Sequence, residues 1–378
     1  MPQLHSFLKS NTFTAGRQLK IWVLAPYIES KEENIDYYYD FSQSIEEYTR
    51  VFKELGLEWI WNPVTMNNFQ EIISRIHSEK SDGQFFPIVL NLCDGDEVNG
   101  TPGISVIRKL EEQGIIYTGA DEYFYTITTS KIPMKRAFDD HGVPNAKWVS
   151  ITNPQVNAVE IMNHLNGAII VKPAVSGGSM GVGTKNVVEK TQELKDLLED
   201  LFKGYKGWDL AIDGMIAEKY ISGPEFTVFI SGSYDQPESA NIYMPVERVF
   251  HQSLPAKERF LSFDRLWEIY EAESSMPQQE NFYEYGLPDS SLIEPIKKLS
   301  WDAFVANKGK GYARIDIRMD SETGKFYVLE TNAQCGISED ENYTSIGAIL
   351  KFSNKPFYEL VEEIIIDAIK RAQIKKWI

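Results

Sequence analysis

Apolar positions in the first third of the chain follow two spacings. LKIWVLAPY (19–27), LEWIWNPV (57–64) and FFPIVLNL (85–92) are near-continuous apolar runs rich in β-branched and aromatic residues, as in strands buried on both faces. Between them, SQSIEEYTRVFKELG and MNNFQEIISRIHSEK carry apolar residues at helical period. TPGISVIRKLEEQG adds a third helix, with Thr101 as cap, Pro102 as first helical residue and Gly114 as stop. Strands alternating with helices predict a parallel sheet covered by helices. Residues 1–125 are therefore read as an N-terminal α/β domain.

TTSKIPMKRAFDDHGVPNAKW follows as a capped helix, a glycine stop and a strand, with His141 marking the helix end. Strands at 168–172 and 214–219 and a helix near 191–203 make a smaller α+β unit, bounded as 126–212. The remainder, 213–378, carries long strands at 224–231 and 241–249, a helix near 292–307, a hairpin at 314–332 and the closing helix PFYELVEEIIIDAIKRAQ. Residues 253–286 are polar and aromatic without a firm period, and a stretch of that length is usually functional.

The hairpin GYARIDIRMDSETGKFYVLETNAQCG (311–336) is unusual in its polar positions. With a turn symmetric about residue 323, Arg314 lies across from Asn332 and Asp316 across from Glu330. Side chains alternate along a strand, so these four share one face while Ile315, Ile317, Leu329 and Thr331 share the other. Two carboxylates this close repel unless a cation lies between them or one keeps its proton. Oxygen donors of this kind suit Mg2+ with substrate phosphates. The alternative is a solvated face with an ion pair.

Two further segments carry chemistry in the same conditional sense. In IIVKPAVSGGSMGVG a strand delivers Lys172 to a turn containing Gly177, Gly178, Gly181 and Gly183, which is either a phosphate clamp or an ordinary loop. It is neither a Walker A loop nor a dinucleotide fingerprint. In IAEKYISGPEFTVFI, Glu218, Lys219 and Glu225 bracket a turn, giving an edge for a base and a carboxylate for a ribose, or a surface turn with an ion pair.

Composition narrows the partners. The chain has 378 residues, 43% hydrophobic and 12% aromatic, enough for two or three domains with real cores. With 38 Lys and Arg against 55 Asp and Glu, the net charge is −17, which argues against nucleic-acid or anionic-membrane partners. Any polyphosphate must be held locally. The two cysteines, Cys93 and Cys335, build neither a disulfide framework nor a zinc module. MPQLHSFLKSNTF lacks a signal-peptide core, no apolar run of about 18 residues occurs, and a cytoplasmic location is expected. The five histidines show no metal-ligand spacing, and Cys335, with no histidine nearby, is assigned to packing.

Lys131, Lys172, the glycine loop, the 218–225 turn and the acidic hairpin occur in an order and spacing that resemble the ATP-grasp superfamily, in particular its D-alanine:D-alanine ligase branch. DGDEVNGTPGISVIRKLEEQGIIYTGA and SGPEFTV share that likeness, which covers roughly 85–250 and 295–340. The resemblance implies an ATP-grasp fold of three domains, an N-terminal parallel-sheet domain and two further domains, α/β and α+β in class, that hold ATP between them. It implies that Lys131 and Lys172 contact the phosphates and that the loop around Ser179 closes over them. Glu218, Lys219 and Ile221 would hold adenine by strand-edge hydrogen bonds, and Glu225 the ribose. Asp316, Glu330 and Asn332 would ligate two Mg2+, with Mn2+ as a substitute, and Arg314 would stabilise charge on the reacting carboxyl. The implied reaction joins a small-molecule carboxylate to an amine through an acylphosphate, releasing ADP and phosphate. A homodimer through the first domain is also implied.

Departures from the family fall on the substrate side. Its N-terminal glycine-rich stretch, whose glutamate holds an amine, is replaced by APYIESKEENIDYYYDFSQS. The first serine of its serine pair is Gly178, while Ser179 keeps the second. Arg259, Arg265, Trp267 and Tyr270 are the candidates for its lid residues. After Asn332 come Gln334, Cys335 and Gly336, and the carboxylate-gripping segment reads ISEDENYTS, whose acids disfavour a free carboxylate. An amide ligase for another acid or amine is therefore expected. The alternatives are D-alanine:D-alanine ligase proper, a kinase using the same grasp, or a non-catalytic nucleotide-binding protein.

Overall fold

The computed structural model describes residues 4, 6–7, 16–28, 40–205, 207–267, 273, 276, 280–342 and 344–377. The first sheet holds β1 (Gln18–Pro26), β2 (Glu58–Val64), β3 (Phe85–Asn91) and β4 (Ile116–Tyr117), in the order β2-β1-β3-β4. All its pairings are parallel, as the alternation predicts. Helices Ser42–Leu55 and Phe69–Asp82 each end on a glycine in the left-handed region, Gly56 and Gly83, where a side chain would be strained. The third helix corrects the predicted start. It spans Ile104–Glu112 and begins after Gly103, because Glu97 reaches over to accept from the N–H groups of Gly103 and Ser105 at 3.1 and 2.6 Å. Thr101 and Pro102 lie in the loop before it.

The second sheet is small and antiparallel: β5 (Trp148–Ile151), β6 (Ile169–Pro173), β7 (Val187–Val188) and β8 (Met215–Lys219), ordered β5-β8-β6-β7. Its hydrogen bonding runs through Lys219, past the boundary expected at 212. Its own core includes Leu165, Ile169, Leu194, Leu198 and Met215. Helix Thr191–Leu201 covers it as predicted, and helix Ala158–Leu165, not foreseen, joins in.

The third sheet contains β9 (Glu225–Ser233), β10 (Asn241–Ile242), β11 (Val246–Phe250), β12 (Tyr283–Gly286), β13 (Lys310–Met319) and β14 (Phe326–Ala333), in the order β12-β11-β9-β13-β14 with β10 beside β9. The run predicted at 241–249 is thus two strands, interrupted at Pro245, which has no N–H for a ladder. Helices Ser290–Ala306 and Phe357–Ile374 match expectation, and helix Ser345–Phe352 was not foreseen. The first and third sheets share cores: Tyr48, Phe52 and Ile88 pack in one cluster with Phe229, Phe357 and Ile365. No helix among the described residues is long and apolar enough to cross a membrane.

Candidate functional site

A cavity of about 730 Å³ opens where the three sheets meet. Its floor is the β13–β14 hairpin. Arg314 pairs with Asn332 and Asp316 with Glu330, the predicted register, and all four line the cavity. Arg314 grips Asp316 side-on, its Nε 3.0 Å from Oδ1 and Nη2 2.9 Å from Oδ2. The Asn332 amide donates to Asp316 Oδ2 at 3.0 Å and to Glu330 Oε1 at 3.3 Å. A bulge beyond Asp316 shifts the register so that Ile317 pairs with Val328. Val328 therefore takes the core position predicted for Leu329, and Leu329 turns to the cavity. Ile315, Ile317 and Thr331 are buried on the far face as expected.

Burial alone would raise the Asp316 carboxyl, but the charges of Arg314 and Arg248 hold it below its ordinary value. It stays an anion on a wall that also presents Glu330. Two carboxylates and an amide oxygen form a hard-oxygen donor set suited to Mg2+. Among the described residues no cluster of three or more His, Cys, Asp or Glu side chains makes a self-sufficient metal site. The remaining ligands would have to come from a bound phosphate chain and water, which is how Mg2+ is commonly held.

The lysines stand on the opposite wall. Lys131 opens helix Lys131–Asp140, capped by Ser130. Its Nζ lies 3.7 Å from Glu330 and 3.4 Å from Ser176 Oγ, and burial lowers its pKa, with Glu330 partly offsetting this. Lys172, on β6, binds Glu218 at 2.7 Å. Glu218 also binds the fully buried Lys135 at 2.8 Å. Desolvation pushes Glu218 up, but the two ammonium groups prevail and hold it at about 2. This corrects the expected role of Glu218. β8 is interior to its sheet, paired on both sides at Glu218, so residue 218 offers no strand edge, and its side chain is committed to positioning Lys172. The Lys219 N–H is likewise spent on Lys147 O at 2.9 Å. Ile221, past the paired region, remains on the cavity wall beside Lys219.

Glu225 lines the cavity from β9, but Arg248 and Arg318 each take one of its carboxylate oxygens. Arg318 also donates to Ile221 O at 3.2 Å and Arg259 O at 2.6 Å, tying three cavity segments together. The glycine loop supplies Ser176 to Met180 to the cavity, with Ser179 in the left-handed region at φ 61°. Trp267 and Glu273, two described residues of the 253–286 stretch, reach this region. Trp267 Nε1 donates to Gly178 O at 2.8 Å, and Glu273 accepts from Thr184 N at 2.7 Å. Of the lid candidates, Trp267 meets the loop. Arg265 is buried against Glu258 and Glu273, Arg259 holds backbone carbonyls within its own segment, and Tyr270 lies outside the described residues.

The far end of the cavity is lined by Phe41, Ser44, Tyr48, Asp94 and Gly336 to Ser338. The acids of 339–341 correct an expectation, because all three turn away. Glu339 pairs with Arg50, Asp340 with Gln43 at 3.1 Å, and Glu341 with Lys351 at 2.8 Å. They do not bias the cavity against a carboxylate. Cys335 is buried, its thiol pushed up to about 12 by desolvation, consistent with packing and not with a nucleophile. Much of the divergent segment 25–44, residues 29–39, lies outside the described residues.

Reading the sequence missed Lys135, Arg248, Arg318 and Glu273. Arg318 had a signal, lying two residues beyond Asp316 on the same strand. The other three are set by tertiary contacts between distant segments.

Comparison with known proteins points to one family. Residues 137–366 match the family model described as D-ala D-ala ligase C-terminus. The chain is 28% identical over 279 residues to the D-alanine--D-alanine ligase of Pseudoalteromonas atlantica, covering 73% of this chain and 76% of the relative. It is 27% identical over 322 residues to that of Geobacillus thermodenitrificans, covering 84% and 78%. Among solved structures it resembles the Bacillus anthracis D-alanine--D-alanine ligase complexed with ATP, with TM-score 0.65, 18% identity and coverage of 94% and 99%. The D-alanine-D-alanine ligase from Coxiella burnetii gives TM-score 0.63 at 16% identity, covering 95% and 97%.

Proposed function

Because the chain belongs to the D-ala D-ala ligase C-terminus family, an ATP-dependent ligase of the ATP-grasp fold, we propose that it forms an amide between a carboxylic acid and an amine through an acylphosphate. The observation that carries this is the convergence of Lys131, Lys172, the 176–180 loop, Arg314 and the Asp316, Glu330, Asn332 set on one cavity. Lys131 and Lys172 hold the triphosphate. Glu218 keeps Lys172 charged and aimed. Ile221 and Lys219 face the base and Glu225 the ribose, the latter after exchanging part of its arginine contacts. Asp316, Glu330 and Asn332 would hold Mg2+, which when bound supplies charge neutralisation at the phosphates.

ATP is a substrate here. The acid's carboxylate oxygen attacks the γ-phosphorus and ADP leaves. The amine nitrogen then attacks the acyl carbon, phosphate departs, and the nitrogen loses a proton. Arg314, fixed by Asp316, lies where charge develops on the acyl oxygen, and its preorganisation lowers the barrier. Trp267, bonded to Gly178 O, and Glu273, bonded to Thr184 N, tie down the glycine loop and so help keep water from the acylphosphate.

On the substrate side, the expectation of an acid other than D-alanine now rests on the divergent 25–44 segment and on Gly178. The similarity to known proteins fits D-alanine:D-alanine ligase proper equally well. The test is MgATP-dependent phosphate release across D- and L-amino acids, singly and in pairs, with the amide product identified by mass. Amine-dependent turnover supports the ligase, and phosphate release independent of any amine would replace it with a kinase-like reaction.

A further inference from the structure

Glu225 stands between two arginines that are employed very differently. Across β12, β11, β9 and β13 the register sets Tyr285 beside Arg248, Arg248 beside Glu225 and Glu225 beside Arg318, and all four line the cavity. Arg318 donates to Glu225, to Ile221 O and to Arg259 O. Arg248, only 2% exposed, donates from Nη1 to Glu225. Its Nε and Nη2 find no acceptor among the described residues. A guanidinium has five N–H donors, so most of this one is unspent.

Its place is fixed independently of Glu225. The rings of Tyr283 and Tyr285 lie 5.5 and 5.6 Å from the Arg248 guanidinium, and the two tyrosines meet edge to face at 5.2 Å. Such contacts hold a cation in position whether or not a carboxylate is bonded to it. The next row on the same sheet pairs Thr227 with Asp316 and Asp316 with Glu330. Arg248 therefore borders two regions. Its ion pair joins it to the carboxylate read as the ribose ligand, and its charge acts on Asp316 and Arg314 at the reacting end.

We propose that Arg248 is a catalytic residue recruited by the nucleotide: Glu225 holds it in the empty site, and once the ribose hydroxyls occupy Glu225 its guanidinium serves the γ-phosphoryl group being transferred. The inference rests on the ligase reading above. The hydroxyls donate to Glu225 and compete with Arg248 for it, while Arg318 keeps its own hold, so the carboxylate is never left bare. Arg248, kept in place by the tyrosines, then offers its charge and its N–H fork to a phosphate, a pairing that suits arginine. In the transfer, the acid's carboxylate oxygen bonds to the γ-phosphorus as the bond to the β–γ bridging oxygen breaks. The electron pair leaves on ADP, and no proton moves. Arg248 neutralises charge on the γ-phosphoryl oxygens through that step. The exchange at Glu225 is complete on binding, before transfer begins. A nucleotide without ribose hydroxyls leaves the arginine on Glu225, so recognition of the sugar is coupled to recognition of the γ-phosphate.

The experiment is a binding cycle on the intact chain, without any acid, using MgATP, MgADP and the dideoxy form of each, which lacks both ribose hydroxyls. The loss of affinity on removing the hydroxyls from MgATP, divided by the loss on removing them from MgADP, gives the coupling factor. For the wild type a factor of about 10 is expected, within the range ordinary for coupled groups. In R248M it should fall to one, with MgADP bound at least as tightly as by the wild type, because Glu225 no longer has to be freed. A single cooperative unfolding transition checks that the variant folds. R248K keeps the charge but not the fork, so its factor should lie between the two, and it decides the matter if R248M does not fold. A factor of one in the wild type overturns the proposal. So does a wild-type factor in the variant, including the case in which all four ligands weaken alike. Failure of the wild type to bind MgATP at all would instead overturn the ligase reading, and the Arg248 assignment with it.

Discussion

The two ends of the cavity follow opposite electrostatic plans. At the end lined by Lys131, Lys172, Glu218, Glu225 and Asp316, every one of these charges is matched by protein, often twice. At the end lined by Phe41, Ser44 and Gly336 to Ser338, the nearby acids of 339–341 are turned outward to Arg50, Gln43 and Lys351. The difference teaches what each end must do. A polyphosphate and its metal are highly charged, and a site that holds them must be preorganised, since moving charges during the reaction would cost much of the barrier reduction. A small substrate needs fewer fixed charges around it, because discrimination comes from what the wrong ligand fails to pair.

The comparison would break most visibly at Asp316. Asp316→Asn removes a proposed Mg2+ oxygen and the carboxylate that fixes Arg314. Loss of one such group from a preorganised site costs about 10³-fold in turnover. The expectation is a drop of that size in kcat, read by phosphate release at saturating substrates, with a single cooperative unfolding transition to show that the chain still folds. A drop under tenfold would mean that this face does not serve the reaction.

Next in size is the buried carboxylate between two lysines. Glu218→Ala leaves Lys135 wholly buried without a counter-ion, and breaking a buried pair in this way costs about 3–5 kcal/mol. Urea unfolding should show that loss, and adding Lys135→Met should recover a good part of it, since the uncompensated charge is then gone. If Glu218→Ala costs under 1 kcal/mol, the preorganisation assigned to this end is wrong.

How much of this could be seen in the sequence follows from how far apart the partners are. The Asp316–Glu330 and Arg314–Asn332 pairs were legible because a tight turn fixes register locally, and the reading failed only where the bulge turned Leu329 to the cavity. Lys172 and the glycine loop were legible as a strand running into small residues. The clamp on Glu218 was not, because Lys135 lies on another element and nothing local marks it. The acids at 339–341 misled for a related reason. Their partners, Arg50, Gln43 and Lys351, sit on two helices remote in sequence or not foreseen, and charge in a motif does not tell which way it points.

The same clamp makes a pH prediction. Glu218 has a folded-state pKa of about 2 against an ordinary 4.5. A depressed carboxylate contributes stability that is present in full above the ordinary value and is lost as pH falls toward the folded one. The shift corresponds to roughly 3 kcal/mol. Glu218→Gln should therefore be less stable than wild type at pH 7, and the gap should close between pH 4.5 and 2 in denaturant titrations. A gap that stays constant across that window would show that the lysines do not hold Glu218 ionised.

The smallest expected effect sharpens the other end. Arg50 and Glu339 form an exposed pair that points away from the cavity, with side chains 59% and 40% accessible. Such pairs contribute at most about 1 kcal/mol. Glu339→Gln should thus change stability by under about 0.5 kcal/mol, and it should leave kcat/KM within twofold for every acid and amine that the wild type accepts. If the acids of this segment shaped the site, neutralising Glu339 would instead relax rejection of carboxylate-bearing amines. If they do not, selectivity stays as in the wild type, and the outward run 339–341 serves to anchor 338–342 on the helices Ser42–Leu55 and Ser345–Phe352.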